Sequence, residues 1–357
     1  MAVKLTQAHQ KMLLVDAARL SRMAYSSPDK VYEMYRQVKA GKAISDTETA
    51  QVLQRVVEVP VHFNDPKTDA QGYGIKYDSP SGRMTILAYR GTSSLADAFA
   101  DSEIRLVPLK TVKLPRQKGC CVHGGFLSQF IALESQTDAF LHGIYENMQD
   151  STSVPKEVVG PSDPPAIGGN SFTDMVTDNI KNASKLFVGD ASQIYDEDKI
   201  IAYESFLAGP PLLFVGHSLG SSDSCIGALV YSLRFNSNGI AWSGFGCPRT
   251  GNEGWANLFN SHIKIGVRVK NARDPIATVP PKILYREVGN EYIHVGKFDP
   301  MPDISFLTDI SDHDIKKYVA HLQQDNTAEN PLEMLTYLAG FVMNIPVKVW
   351  NFIRSLK

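Results

Sequence analysis

Leu212-Leu213-Phe214-Val215-Gly216-His217-Ser218-Leu219-Gly220 is the stretch whose reading decides the fold. Its first four residues are a short apolar run with the composition of a buried strand. The five that follow match G-x-S-x-G. From Ser221 to Arg234, Cys225, Ile226, Leu229, Val230 and Leu233 recur at helical spacing, which predicts a helix. Strand, tight turn and helix in that order are the context in which G-x-S-x-G forms a nucleophile elbow. A serine at the tip of so sharp a turn leaves no room for side chains two residues either side, and glycine meets that demand at Gly216 and Gly220. Ser218 is therefore expected to raise its hydroxyl above a sheet, with the start of a helix beneath it.

The 357 residues carry a net charge of -2, which fits a globular protein of one large or two small domains. The near-neutral balance, with no basic cluster interleaved with aromatics, argues against a nucleic-acid partner. No apolar run reaches the length of a membrane span. Gln7, His9, Gln10 and Lys11 interrupt the N-terminal stretch, so it does not read as a signal peptide. The four cysteines, Cys120, Cys121, Cys225 and Cys247, have neither C-x-x-C spacing nor a disulfide framework. A reducing, cytoplasmic setting is the expectation, with Cys225 a core residue and Cys120-Cys121 packed in a strand. Asp196-Glu197-Asp198 lacks the spacing of a calcium loop, and no metal or cofactor is expected.

Met12, Leu13, Ala17, Leu20 and Ala24 place a helix over 10–25, and Met84 to Tyr89 reads as a strand ending in the turn Arg90-Gly91-Thr92-Ser93-Ser94. Gly239 to Phe245 and Val267 to Lys270 read as further strands, and Ile283 to Phe298 as a hairpin turning at Gly289-Asn290. Strands alternating with helices predict an α/β fold, a mostly parallel central sheet with helices on both faces. The proline- and glycine-rich stretch from Ser151 to Gly169 cannot form a core, and it marks a mobile insertion at about 150–200 within one domain spanning 1–330. Residues 331–357 form an amphipathic helical segment. Its stripes (Leu335, Leu338, Phe341 and Val342, then Val349, Trp350, Ile353 and Leu356) suit either packing on the body or a lipid surface.

A serine hydroxyl needs a general base, and the base a third group to orient it. In elbow enzymes of this kind the order is serine, acid, histidine. Asp274, after the strand Val267–Lys270 and before Pro275, stands where a triad carboxylate belongs; an Asp-Pro loop opener is the alternative. Of the later histidines, His294 lies mid-strand and His321 within a solvated helical run. His313, in the polar break before Ile315–Leu322, is the best-placed base. Backbone donors for an oxyanion are expected from Leu219, directly after the nucleophile, and from the Arg90-Gly91-Thr92-Ser93 turn.

These motifs occur in an order that resembles the class 3 lipases, the superfamily of fungal triacylglycerol lipases and plant phospholipase A1-like α/β-hydrolases. The likeness runs over roughly residues 12–325. It rests on Leu20-Ser21 with Ala24-Tyr25, Tyr89 to Ser94 with Asp101, Val122-His123-Gly124-Gly125-Phe126, the elbow, and Phe245 to Asn252. It continues through Asp274-Pro275 with Val279-Pro280, Tyr292 to Gly296, and His313-Asp314 with Tyr318. The resemblance implies an α/β-hydrolase with Ser218, Asp274 and His313 as nucleophile, acid and base. Thr92 and Leu219 would donate the oxyanion amides, Asp101 would hold the Thr92 hydroxyl, and His123 would be structural. It implies a cofactor-free serine carboxylester hydrolase cleaving acylglycerols or phospholipids, with a lipid or ester substrate and peripheral contact with a membrane or lipid surface. A soluble short-chain esterase and a lipase-like binding scaffold are the alternatives. Two departures stand out. Ser221-Ser222-Asp223 replace the glycine and alanine-rich helix that usually follow the elbow, and the lid stretch Leu95–Ala100 offers only Leu95 and Phe99 as bulky apolar residues.

Overall fold

The computed structural model describes residues 7–79, 82–91, 105–111, 114–141, 212–235, 239–271, 274–280, 282–296 and 311–324. Thr92, Asp101, the lid stretch 95–100, the insertion at 150–200, the acidic run 196–198 and the segment 331–357 lie outside them.

The chain opens with α1 (Gln7–Met23), α2 (Pro28–Lys39) and α3 (Thr47–Leu53), followed by β1 (Val61–Asp65), β2 (Ala70–Ser79) and β3 (Gly82–Tyr89). A short ribbon of β4 (Leu106–Pro108) and β5 (Cys121–His123) precedes α4 (Gly124–Leu141). Then come β6 (Leu212–His217), α5 (Leu219–Phe235), β7 (Ile240–Phe245), α6 (Glu253–His262), β8 (Ile265–Asn271), β9 (Glu291–Val295) and α7 (Ile315–Gln323). The main sheet runs β1-β2-β3-β6-β7-β8-β9. β1, β2 and β3 pair antiparallel, and β3, β6, β7, β8 and β9 pair parallel in that order.

Alternation along the central strands builds a core on each face. In β6, Leu212 and Phe214 pack on one side with α4, α5 and α6, while Leu213 and Val215 pack on the other with α1 and α7. β3 divides likewise, Leu87 and Tyr89 against Ile86 and Ala88. Strands buried on both faces need an unbroken apolar run, and Leu212–Val215 supplies one. Each such side chain taken fully from water contributes roughly 1.5–3 kcal/mol. Polar side chains then define where helices start. Asp46 accepts from the Thr49 amide at the start of α3, and Asn252 from the Trp255 amide at the start of α6.

The expected α/β fold is present, and the strands expected at 84–89, 239–245 and 267–270 are there. The hairpin expected over 283–298 is not. Ile283 and Leu284 lie in an exposed turn, Arg286 bridges to Gly251, and the β-rich run after Gly289 becomes β9. β9 pairs parallel with β8, from Val267 opposite Glu291 to Asn271 opposite Val295. Gly289 has φ 128°, and the Asn290 amide donates to Gly266 O at 2.7 Å, so the chain is delivered to the open edge of β8 and does not fold back on itself. His294 is half-buried on that strand, as expected of a packed strand residue. His321 is half-buried on α7, close against Gly296, where a fully solvated position was expected.

Cys225 is buried in the core, and Cys120 is buried beside Cys121, which opens β5. Among the described residues, no helix is long and apolar enough to cross a membrane.

His123, at the end of β5, is buried, stacks on Phe126 at 4.2 Å and accepts the Gly125 amide at Nδ1. Burial pushes its imidazole down to about 4. An unfolded chain takes this proton near pH 6.5, so between those values unfolding gains a proton and stability falls as the pH falls. A glutamine keeps an acceptor for Gly125 and does not titrate. Between pH 7 and pH 5 wild type should lose about 2 kcal/mol more than His123→Gln, measured by urea unfolding. Parallel losses in the two proteins would show that His123 is not neutral in the fold.

Candidate active site

The site is assembled at the ends of the parallel strands β6, β7 and β8, where loops leave the sheet. β6 ends at His217, Ser218 sits alone between strand and helix, and α5 begins at Leu219. Ser218 has φ 61°, a left-handed conformation that costs a non-glycine residue on the order of 1–3 kcal/mol. Its neighbours hold it there. The Ser218 amide donates to Phe245 O on β7 at 2.9 Å, and the Ser221 amide closes the turn onto Ser218 O at 3.0 Å. A Cβ on Gly220 would overlap the Tyr89 and Arg90 backbone, so only glycine lets α5 start this close to β3. Leu219 is the first residue of α5, and the amides of a first helical turn have no intrahelical acceptor. Its N–H is thus available beside the Ser218 hydroxyl.

The acid and the base come from two separate loops. Asp274, buried, follows β8 and caps a 3-10 turn, Ile276–Thr278, by accepting the Ile276 amide at Oδ1, 2.8 Å. His313 ends a second 3-10 turn, Ser311–His313, immediately before α7, whose N-cap is Asp314. The turn is tied to β8 through Asn271 Nδ2, which donates to Asp312 O at 2.8 Å. His313 Nδ1 then lies 2.7 Å from Asp274 Oδ2, with both groups buried. Carboxylate oxygens only accept, so Nδ1 carries a proton and Nε2 is left to act as a base. Tyr318, one turn into α7, donates its hydroxyl to the same Oδ2.

The two halves meet at Phe245-Gly246. Phe245 O receives the Ser218 amide, and Gly246, at φ 57°, faces Asp274 Oδ2, His313 Cε1 and Tyr318 Oη, each within 2.9 Å of any Cβ placed on it. The ring of His313 also lies 4.4 Å from that of His217, the residue before the serine. Among the described residues, Ser218 Oγ and His313 Nε2 are both buried and hydrogen-bonded to nothing. This leaves the hydroxyl and the base each unengaged by any other described group.

The Phe245–Asn252 turn holds the acid loop. Buried Arg268 donates to Cys247 O and Ala277 O, and Arg249 donates to Thr278 O and to Pro280 O, the latter at 2.8 Å. Glu287 pairs with Arg249 at 3.0 Å, and the surrounding cations hold its carboxyl down at about 2 despite burial. The loop carrying Asp274 is therefore clamped from two directions by guanidinium groups.

Residues 202–284, from before the elbow to beyond the acid loop, match the sequence profile of the class 3 lipases. Over this segment the chain is similar to the class 3 lipases. The fold agrees. The triacylglyceride lipase of Rhizomucor miehei superposes with a TM-score of 0.51 at 17% identity, covering 87% of this chain and 95% of that one. The same lipase in its propeptide complex gives 0.51 at 18%, over 87% and 81%. The lipase from Rhizopus microsporus var. chinensis gives 0.49 at 20%, over 87% and 88%.

Of the residues singled out by the motifs, the structure brings His313 and Asp274 together at 2.7 Å and puts Ser218 and Leu219 at the junction of β6 and α5. Ser221, Ser222 and Asp223, the departure after the elbow, are all buried against the sheet. A Cβ on Gly244 would overlap Ser221 Oγ, so the serine fits because β7 has a glycine opposite. Burial raises the Asp223 carboxyl well above its ordinary value. Residues whose roles the motifs did not reveal are Tyr318, His217, Tyr25 and Gly246. Tyr318 was visible as part of an ordered motif, but its distance from Asp274 in sequence hides the contact.

Tyr318→Phe removes the second donor to Asp274 Oδ2 and leaves the ring in place. Hydrogen bonds to charged groups contribute about 1.5–3 kcal/mol, so ester turnover should fall about 10- to 100-fold with substrate affinity little changed. Steady-state kinetics on a soluble ester would check this, and wild-type turnover would show the bond to be idle.

Proposed function

We propose that the chain is a serine carboxylester hydrolase that cleaves acyl esters of acylglycerols or phospholipids. The observation that carries this reading is the buried 2.7 Å bond from His313 Nδ1 to Asp274 Oδ2 beside a left-handed serine on an elbow. In the proposed cycle Ser218 Oγ attacks the acyl carbon while His313 Nε2 takes the hydroxyl proton. The carbonyl becomes a tetrahedral oxyanion facing the Leu219 amide, with Thr92 as the second donor and Asp101 holding the Thr92 side chain. Collapse expels the alcohol, which receives the proton from His313, and the acyl group stays on Ser218 as an ester. Water then gives its proton to His313 and attacks; Ser218 leaves with that proton and the fatty acid is released. Asp274, oriented by Tyr318 and the Ile276 amide, stabilises the imidazolium that forms twice per cycle. The proposal extends to contact with a lipid surface, since the substrates named are held in one.

A fluorophosphonate reagent should label Ser218, because an activated serine attacks phosphorus as it attacks an acyl carbon. Ser218→Ala should abolish labelling and lower turnover by around 10⁶-fold, the scale on which triads lose activity without their nucleophile. The substrates would be short soluble esters, triacylglycerol emulsions and phospholipid vesicles. Labelling that persists in the alanine variant, or a wild type inert toward all three substrates, would overturn the reading. The second result would favour a binding scaffold.

A further inference from the structure

His217 lies inside the elbow motif but takes no part in the chemistry just described. Its ring is fully engaged. Nε2 is 2.6 Å from the backbone carbonyl of His313, and Nδ1 is 2.8 Å from the hydroxyl of Tyr25, at the end of the first helix. A carbonyl oxygen can only accept, so Nε2 carries the proton. Nδ1 is then the acceptor, and the Tyr25 hydroxyl must be its donor. The Tyr25 hydroxyl is also packed against Gly91, the residue just past β3. Gly91 is pressed against this junction: a Cβ there would overlap Tyr25 Oη and stand 2.7 Å from His217 O and 2.9 Å from Ser218 Cβ. Each donor in this sequence has one acceptor and each acceptor one donor, from Tyr25 O–H through His217 to His313 C=O.

We infer that Tyr25 and His217 are positioning residues that tie the end of the oxyanion strand, the elbow and the backbone of the general base into one rigid unit. The inference rests on the assignment of Ser218 and His313 made above. Three pieces of the machinery come from places far apart in sequence, and each is a loop or strand end with its own freedom. The bond between His313 Nδ1 and Asp274 orients the imidazole ring but does not fix the height of the His313 backbone over Ser218. The carbonyl bond from His217 does, and it originates one residue from the nucleophile. Burial and the neighbouring His313 push the His217 imidazole well below its ordinary value, so it stays neutral and the tautomer required by the chain of donors is kept. Arg90 and Asp314 are the charged groups that face Tyr25 across the junction, and burial keeps the phenol protonated.

The test compares four proteins. His217→Phe keeps the ring bulk and deletes both bonds. His217→Gln offers an amide N–H to His313 O and an amide oxygen to Tyr25, so it can rebuild the chain. Tyr25→Phe, nearly isosteric, cuts the chain at its other link, and the double phenylalanine variant completes a cycle. Since displacements of about 1 Å in a reacting geometry cost on the order of 100-fold, each phenylalanine variant should lower kcat on a soluble ester by about 10- to 100-fold, with KM within about twofold of wild type. His217→Gln should recover kcat to within about threefold, and the double variant should be clearly less than additive. A readout independent of turnover is the low-field proton resonance of His313 Nδ1 on Asp274, which should broaden or shift in both phenylalanine variants and return in His217→Gln. Wild-type kcat in Tyr25→Phe, additive losses in the double variant, or no rescue by glutamine with melting temperatures unchanged would each overturn the inference. Should His217→Phe not fold, Tyr25→Phe and the glutamine variant decide alone. A wild type without esterase activity would sink the functional reading instead, and the Nδ1 resonance would still show whether the tether orders His313.

Discussion

Everything else in the molecule is arranged around one strained residue, Ser218, held at φ 61° between a parallel strand and the helix that follows. That conformation is unfavourable for a serine and persists only because its surroundings over-determine it. The amide is bonded to β7, the carbonyl to the first turn of α5, and the glycine two residues on is wedged against the β3 backbone. The sheet around it is correspondingly rigid. Leu212 to Val215 are buried on both faces, and loosening either core would let the turn relax to an ordinary conformation. Stability and reactivity are thus coupled through the same strand.

The base side follows a different design. Asp274 and His313 sit on loops, which are intrinsically mobile, and their order is imposed by hydrogen bonds made elsewhere. Asp274 Oδ1 caps a short turn, while Oδ2 receives His313 and Tyr318. Arg249 and Arg268 grip the backbone of the acid loop, and Asn271 grips the turn before His313. A buried carboxylate is costly unless its oxygens are satisfied, and here they are. The same groups that satisfy it also aim it, which is why the Phe245–Asn252 turn is as much a part of the site as the residues that would meet substrate.

The polar interior behind the elbow shows how burial sorts charge. Asp223 lies in the helix that follows Ser218, and burial pushes its carboxyl well above its ordinary value. Glu287, half-buried, is held down at about 2 because Arg249, Arg268 and Lys270 surround it. Two acids of the same chain are therefore shifted in opposite directions, by surroundings that sequence order does not reveal.

Much of this was legible from local pattern. The apolar run Leu212–Val215, the glycines at 216 and 220 and the helical spacing after Ser221 specify strand, turn and helix from adjacent residues, because those periodicities act over a few positions. His313 was singled out from His294 and His321 by local context, a polar break before a helix, and the fold sets it against Asp274. Tertiary structure alone decided the remainder. The run after Gly289 had the composition of a strand, but composition does not select a partner. It paired parallel with β8 because that edge was open and Gly289 turned the chain toward it. Tyr25 and His217 are separated by 192 residues, and Tyr318 and Asp274 by 44. A hydrogen bond depends on distance and angle in space, so no spacing in the chain could announce either contact. Sequence by itself determined the strand, turn and helix around Ser218 and the order in which the candidate residues follow it. Folding decided which atoms of those residues meet, since only the packed sheet brings its loops to one end.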